Sequence, residues 1–295
     1  MPNEPRVLHW AAEEILTQRY LLPAVTTIEA LFLQLRRELD PTLIQTQPVK
    51  LGKPYPLEQC LEISLAMQHH LQRLDPSTLA GPSRLGYSAL AGFPRCGGSM
   101  RQVWDDLRGE YFQNAFLAGA LYIDVSNDTV TRTKPPVEIL SFADAHFKPV
   151  EDYRHFATLA SRYWKAHFSP NHIGPTLAPY FPLIAVIPES GVHFQSMSGY
   201  ILAVVATGEF RPSEVVLDAP AMKADLFELI ANCLAGSSFE VASDPLKGRA
   251  MALHYCKKYR AEGYRQAAEA RTNALRDLLE ANKRLSSLKV TVMAP

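Results

Sequence analysis

The spacing of apolar residues changes character several times along the chain. Ile28, Leu31, Phe32, Leu35 and Leu39 recur at helical spacing. They predict two helices over residues 7–39, broken at Pro23 and stopped by Asp40-Pro41. A second stripe, Leu57, Leu61, Leu65, Leu71 and Leu74, predicts a helix over 57–74 that ends at Asp75-Pro76. Residues 75–99 are rich in Gly, Pro and Ser and predict a loop, with Ser99 placed to cap a short helix over 100–107. The period then drops to two. "YFQNAFLAGALYIDVSND", residues 111–128, predicts a strand, a tight turn at Ala118-Gly119 and a second strand. Another short strand is expected over 137–142.

Residues 151–168 return to a helical pattern, with Phe156, Leu159, Ala160, Tyr163 and Trp164 on one face. A Pro-rich loop leads to four strand-like runs, "LIAVIP", "VHFQSM", "YILAVVAT" and "EVVLD". Asp218 and Pro220 open a helix that runs to about Leu234 and stops at Gly236. One long helix is expected over 247–288. This order of helices, strands, helix, strands and helices predicts an α+β fold, helix-rich, with a central antiparallel sheet rather than regular βαβ winding. One globular body over 1–245 and a long C-terminal helix over 246–295 are expected. In that helix Leu275, Leu278, Asn282 and Leu285 fall at a and d positions, and an Asn at an a position sets register in coiled coils. Packing on its own domain is the first reading, and a homodimer helix the second.

Composition narrows the partners. The chain has 295 residues, 47% hydrophobic and 20% charged, enough for a sizeable core. Lys plus Arg equals Asp plus Glu at 30 each, which removes the simplest argument for nucleic acid or an anionic membrane. No run approaches the length of a membrane span, and the N-terminus does not read as a secretory signal. The four cysteines are widely spaced, with no C-x-x-C pair. A cytoplasmic protein with reduced thiols is the expectation.

Nucleotide-binding, dinucleotide-binding, serine-hydrolase and zinc-protease signatures are absent, and no cofactor is expected. His146, His155, His167, His172 and His193 cluster in the middle of the sequence, so a metal enzyme built on them ranks as a third reading. Each lies beside aromatic or apolar residues, and no metal ligand set is assigned. "GFPRCGGSM" suggests an anion-binding loop before a helix, formed by Arg95, Gly97, Gly98, Ser99 and Arg101.

The segment "KPYPLEQCLEIS" places Cys60 near the start of a helix, where a thiolate is stabilised. Downstream, "LYIDVSND" closes a strand pair with Asp124. The order cysteine, strand, turn, strand, aspartate resembles the transglutaminase-like branch of the papain-like cysteine superfamily over residues 54–128. That resemblance implies Cys60 as nucleophile and Asp124 as the carboxylate that orients a catalytic histidine. The chain has no histidine between His70 and His146, and Gln113 and Asn114 occupy the strand where the family places it. Neither can act as a general base near neutral pH. His146 and His193 are the nearest downstream candidates for the base.

Two function classes therefore stand. One is cysteine-dependent acyl transfer or amide hydrolysis on a peptide or small amide. The other is a non-catalytic protein that binds a protein or peptide partner through its surface and C-terminal helix.

Overall fold

The computed structural model describes residues 3–187, 191–195, 203–204, 207–264 and 266–288. The fold is α+β, and its contacts part at Pro149 and Val150 into two compact units. The body expected over 1–245 is thus two units, and the C-terminal helices belong to the second.

In the N-terminal unit, α1 (Trp10–Leu16) passes through a π turn and a 3-10 turn at Leu22–Ala24 into α2 (Val25–Thr46). The break at Pro23 falls where the sequence places it. The stop at Asp40-Pro41 does not, and α2 continues to Thr46. Asp40 is held by Arg36 at 2.9 Å and by Tyr55 at 2.7 Å. Pro41 is exposed, where water can satisfy the carbonyl that its ring leaves unbonded. A two-strand hairpin, β1 (Val49–Lys50) and β2 (Lys53–Pro54), turns on Leu51 and Gly52, both at positive φ.

The helix α3 spans Cys60–Arg73. The loop expected over 75–99 contains a helix instead, α4 (Gly81–Gly92), because its small residues serve close packing. A Cβ on Gly86 would stand 2.2 Å from the Thr27 carbonyl oxygen of α2. Gly86→Ala is therefore expected to cost about 2 kcal/mol, since the helices must move apart. Urea unfolding of the variant reads that loss, and an unchanged midpoint would contradict the close approach.

The sheet has five antiparallel strands in the order β6-β5-β4-β3-β7: β3 (Met100–Leu107), β4 (Tyr111–Ala118), β5 (Leu121–Asp124), β6 (Glu138–Ser141) and β7 (Phe147–Lys148). The hairpin of β4 and β5 matches the sequence reading. The short helix expected over 100–107 is overturned. Residues 100–107 pair along their whole length with residues 111–118, and a complete ladder outweighs one local cap signal. Phe116, Ala118, Leu121, Ile123 and Val125 pack against Ile28, Phe32, Leu35 and Met67 of the helices. The short helix α5 (Phe142–Ala145) joins β6 to β7.

The C-terminal unit opens with α6 (Tyr153–Tyr163), which buries Phe156, Leu159 and Ala160. The expected helix does not reach 168, because β8 (His167–Pro170) begins there and pairs with β9 (Leu183–Ile187). β10 (Gly191–Phe194) completes a three-stranded antiparallel sheet in the order β10-β9-β8. "YILAVVAT" lies largely outside the described residues. "EVVLD" is not a strand and falls mostly in α7 (Arg211–Leu217), whose second residue is a proline. Next in the chain is α8 (Ala224–Cys233), which starts later than Asp218.

The single long helix expected at the C-terminus is two, α9 (Pro245–Ala261) and α10 (Ala268–Leu285). Gly263 adopts φ 70°, a left-handed turn residue that ends α9. Leu278 and Leu285 of the a/d frame are buried within this unit. Asn282 does not sit in a coiled-coil seam. Its amide accepts from the Phe194 N–H at 2.8 Å and donates to the Phe194 carbonyl at 3.1 Å.

Candidate functional site

The helix α3 begins at Cys60 itself, so the cysteine stands at the helix N-terminus and not a turn inside it. The helix dipole there favours a thiolate. Burial opposes it more strongly. Cys60 is 8% exposed, and burial pushes its thiol up from the ordinary value, with hydrogen bonds from Asn114 pulling the other way. The side chain that reaches the sulfur is Asn114, whose Nδ2 donates to Sγ at 3.5 Å. On the same helix Ser64 donates to the Asn114 carbonyl at 3.2 Å. Asn114 is thus fixed at both its amide and its backbone.

Asp124 serves a different face. Phe116 pairs with Ile123 across the β4–β5 ladder. Alternation along the strands then puts Asn114, Phe116, Ile123 and Cys60 on the helix-facing side, and Gln113 and Asp124 on the other. The aspartate accepts from Gln113 Nε2 at 2.6 Å and Tyr122 OH at 3.0 Å. It also accepts from the Ser126 N–H at 2.7 Å and the Ser126 hydroxyl at 3.1 Å. It is fully buried, and burial pushes its carboxyl up to about 6 against the pull of these donors. A single-residue offset therefore separates the two halves of the expected constellation. Asn114 reaches Cys60, while Gln113, its neighbour in sequence, reaches Asp124.

The expected bases do not join Cys60. His146 caps α5 with φ 51° and lines a cleft of about 730 Å³ with Trp10, Phe142, Phe147, Arg108 and Lys148. It is exposed and is not strand-borne. His193 lies on β10 of the C-terminal unit. Among the described residues no histidine hydrogen-bonds Cys60, and His70 of α3 pairs with Glu38 at 3.0 Å. The metal reading gains nothing from the geometry. His172 is buried with Nε2 2.9 Å from the Leu217 carbonyl, and His155 accepts from the Glu151 N–H at 3.2 Å. Among the described residues no three His, Cys, Asp or Glu side chains converge.

The expected anion loop is corrected by the strand at its end. β3 rather than a helix starts at Met100, so the loop does not lead into the helix N-terminus that the reading required. Arg95 falls in a 3-10 turn, and Gly98 packs so tightly on the Phe93 ring that a Cβ would stand 2.3 Å from it. Gly97 is a left-handed turn residue at φ 92°. The loop does hold an anion, but one of the chain's own. Ser99 donates its hydroxyl to Glu13 at 2.5 Å and its N–H to the same carboxylate at 3.3 Å. Arg101 donates to the Arg6 carbonyl at 2.6 Å.

One side chain with no role in the sequence reading anchors this unit. Arg36 is 1% exposed and grips Asp128 with a two-pronged contact at 3.1 Å and Asp40 at 2.9 Å. It also donates to the carbonyls of Val125 and Pro136. Its signal was its position, since residues 28, 32 and 36 fall on one helical face that is otherwise apolar. Among the described residues no helix is long and apolar enough to cross a membrane. No protein-family model, curated protein or solved structure matches the chain.

Proposed function

We propose that this chain acts by binding a partner and not by cysteine chemistry, with Cys60 and Asp124 serving as structural groups. One observation carries the reading: the group in contact with the Cys60 sulfur is the amide of Asn114, which can donate a hydrogen bond but cannot take a proton. The same layout with an imidazole at that position would activate the thiol. With an amide there, and no base hydrogen-bonded to the sulfur among the described residues, burial outweighs the pull of Asn114 and favours the protonated thiol. The offset of Asp124 to the other sheet face supports the same reading, because among the described residues no histidine hydrogen-bonds its carboxylate. The cleft beside Trp10 offers a surface suited to binding, with aromatic walls and three basic side chains, Arg108, His146 and Lys148.

Alkylation with iodoacetamide at neutral pH tests the reading, with Cys96 as the internal standard because it is exposed. Peptide mapping is expected to find Cys96 modified and Cys60 protected until denaturant is added. Modification of native Cys60 faster than Cys96 would sink the proposal and restore the nucleophile.

A further inference from the structure

A second concavity, unconnected with Cys60, lies wholly within the C-terminal unit. It has a volume of about 450 Å³, and three tyrosines, Tyr180, Tyr259 and Tyr264, form its aromatic wall. Ala267, Ala270 and Ala274 explain why it exists. They recur at helical spacing along the start of α10, and their methyl groups leave the space that larger side chains would fill. Glu269, Asn273 and Asp277 run beside them at intervals of four residues, so a polar stripe borders the same hollow.

Two of the three hydroxyl donors of the wall are spent. Tyr180 OH donates to the Tyr264 carbonyl at 3.1 Å, and Tyr259 OH donates to the Thr176 carbonyl at 3.2 Å. Tyr259 stacks on Tyr264 at 4.6 Å, and Tyr180 meets Phe210 edge-on at 5.2 Å. With those protons committed, the two hydroxyl oxygens have only lone pairs left to offer. Two carboxylates belong to the lining, and among the described residues no basic side chain does. Arg271 stands near enough to act on Tyr180 but outside the lining. Asp277 lies 3.0 Å from the Ser238 hydroxyl, which Glu280 shares at 2.7 Å, and has Arg276 at 3.6 Å, while Glu269 is exposed.

Acceptors, negative charge and aromatic faces together select a cation that carries N–H donors. The spacing narrows the class. Glu269 and Asp277 are eight residues apart on α10, a rise of about 12 Å at 1.5 Å per residue. A single ammonium group cannot meet both. We infer that this cavity binds a linear, protonated di- or polyamine, its ends on Glu269 and Asp277 and its methylene chain against the tyrosines.

Calorimetric titration of the full chain with spermidine tests this. One-to-one binding is expected, weakened about tenfold or more by the double substitution E269Q/D277N, which keeps shape and removes charge. Ala270→Leu, which refills the hollow, is expected to abolish binding. 1,8-Octanediol matches the length without the charge and is expected to bind about tenfold more weakly, or not at all. Absence of spermidine binding up to about 5 mM overturns the inference, as does wild-type affinity in E269Q/D277N or equal binding of the diol. Circular dichroism of each variant shows whether the fold is retained. If Ala270→Leu fails to fold, E269Q/D277N, whose changes lie on exposed or partly exposed side chains, still decides the matter.

Discussion

Replacing Arg36 with methionine is expected to destabilise the N-terminal unit by about 3–5 kcal/mol, the cost of breaking a buried ion pair from one side. Burial alone would push the guanidinium toward neutrality, but Asp128 and then Asp40 reverse this and keep it charged. The methionine would leave the Asp128 carboxylate, 14% exposed, facing a gap where the fork had been. It would also strip a donor from the carbonyls of Val125 and Pro136. Because this side chain ties α2 to the segment after β5, the loss falls on the joint between helix layer and sheet. Urea unfolding at neutral pH measures it. A change below about 1 kcal/mol would mean that the contact is no stronger than a surface pair. The double variant R36M/D128L is expected to recover part of the loss, since removing both charges also removes their desolvation cost.

Asp124 makes the second large prediction, and it is one of pH. Burial raises its carboxyl from the ordinary 3.8 to about 6, the donors from Ser126, Gln113 and Tyr122 pulling in the opposite direction. Between about pH 4 and 6 the folded protein therefore holds a proton that the unfolded chain has released. The group's contribution is greatest below that window, falls as pH rises through it, and is fully lost above about 6. At 1.36 kcal/mol per pH unit, the fall amounts to about 3 kcal/mol. Asp124→Asn cannot titrate. The stability of wild type relative to D124N is thus expected to decline by that amount from pH 4 to pH 7, on top of a constant cost for turning an amide N–H₂ toward existing donors. Urea midpoints of both proteins across this range give the difference directly, and a flat difference would mean that Asp124 is ionised equally in the folded and unfolded chain.

Legibility from sequence depended on the kind of signal. The hairpin over residues 111–124 was readable because alternation and a glycine turn agree, and α6 because Phe156, Leu159 and Ala160 share a face. What failed had a local signal overruled by a distant contact. Ser99 looked like a helix cap because its hydroxyl needs a partner, but Glu13, far away in sequence, provides it. Asp40-Pro41 looked like a stop because nothing local showed Tyr55 returning to hold Asp40. The Gly-rich run of α4 looked like a loop because the use of Gly86 is the close passage of another helix. In the candidate site, Cys60 and Asp124 were each legible, as was the missing histidine. The sequence does not reveal which of Gln113 and Asn114 points to which face. That depends on the cross-strand register, which only the folded ladder determines.

Asn282 has a consequence for self-association. Among the described residues β10 is the edge strand of its sheet, and an edge strand with open N–H and C=O groups invites a strand from another molecule. The side-chain amide of Asn282 occupies both groups of Phe194, imitating one residue of an adjoining strand without extending the ladder. A residue that looked in sequence like a device for joining two copies of the chain thus blocks, at that point, another way in which copies could join.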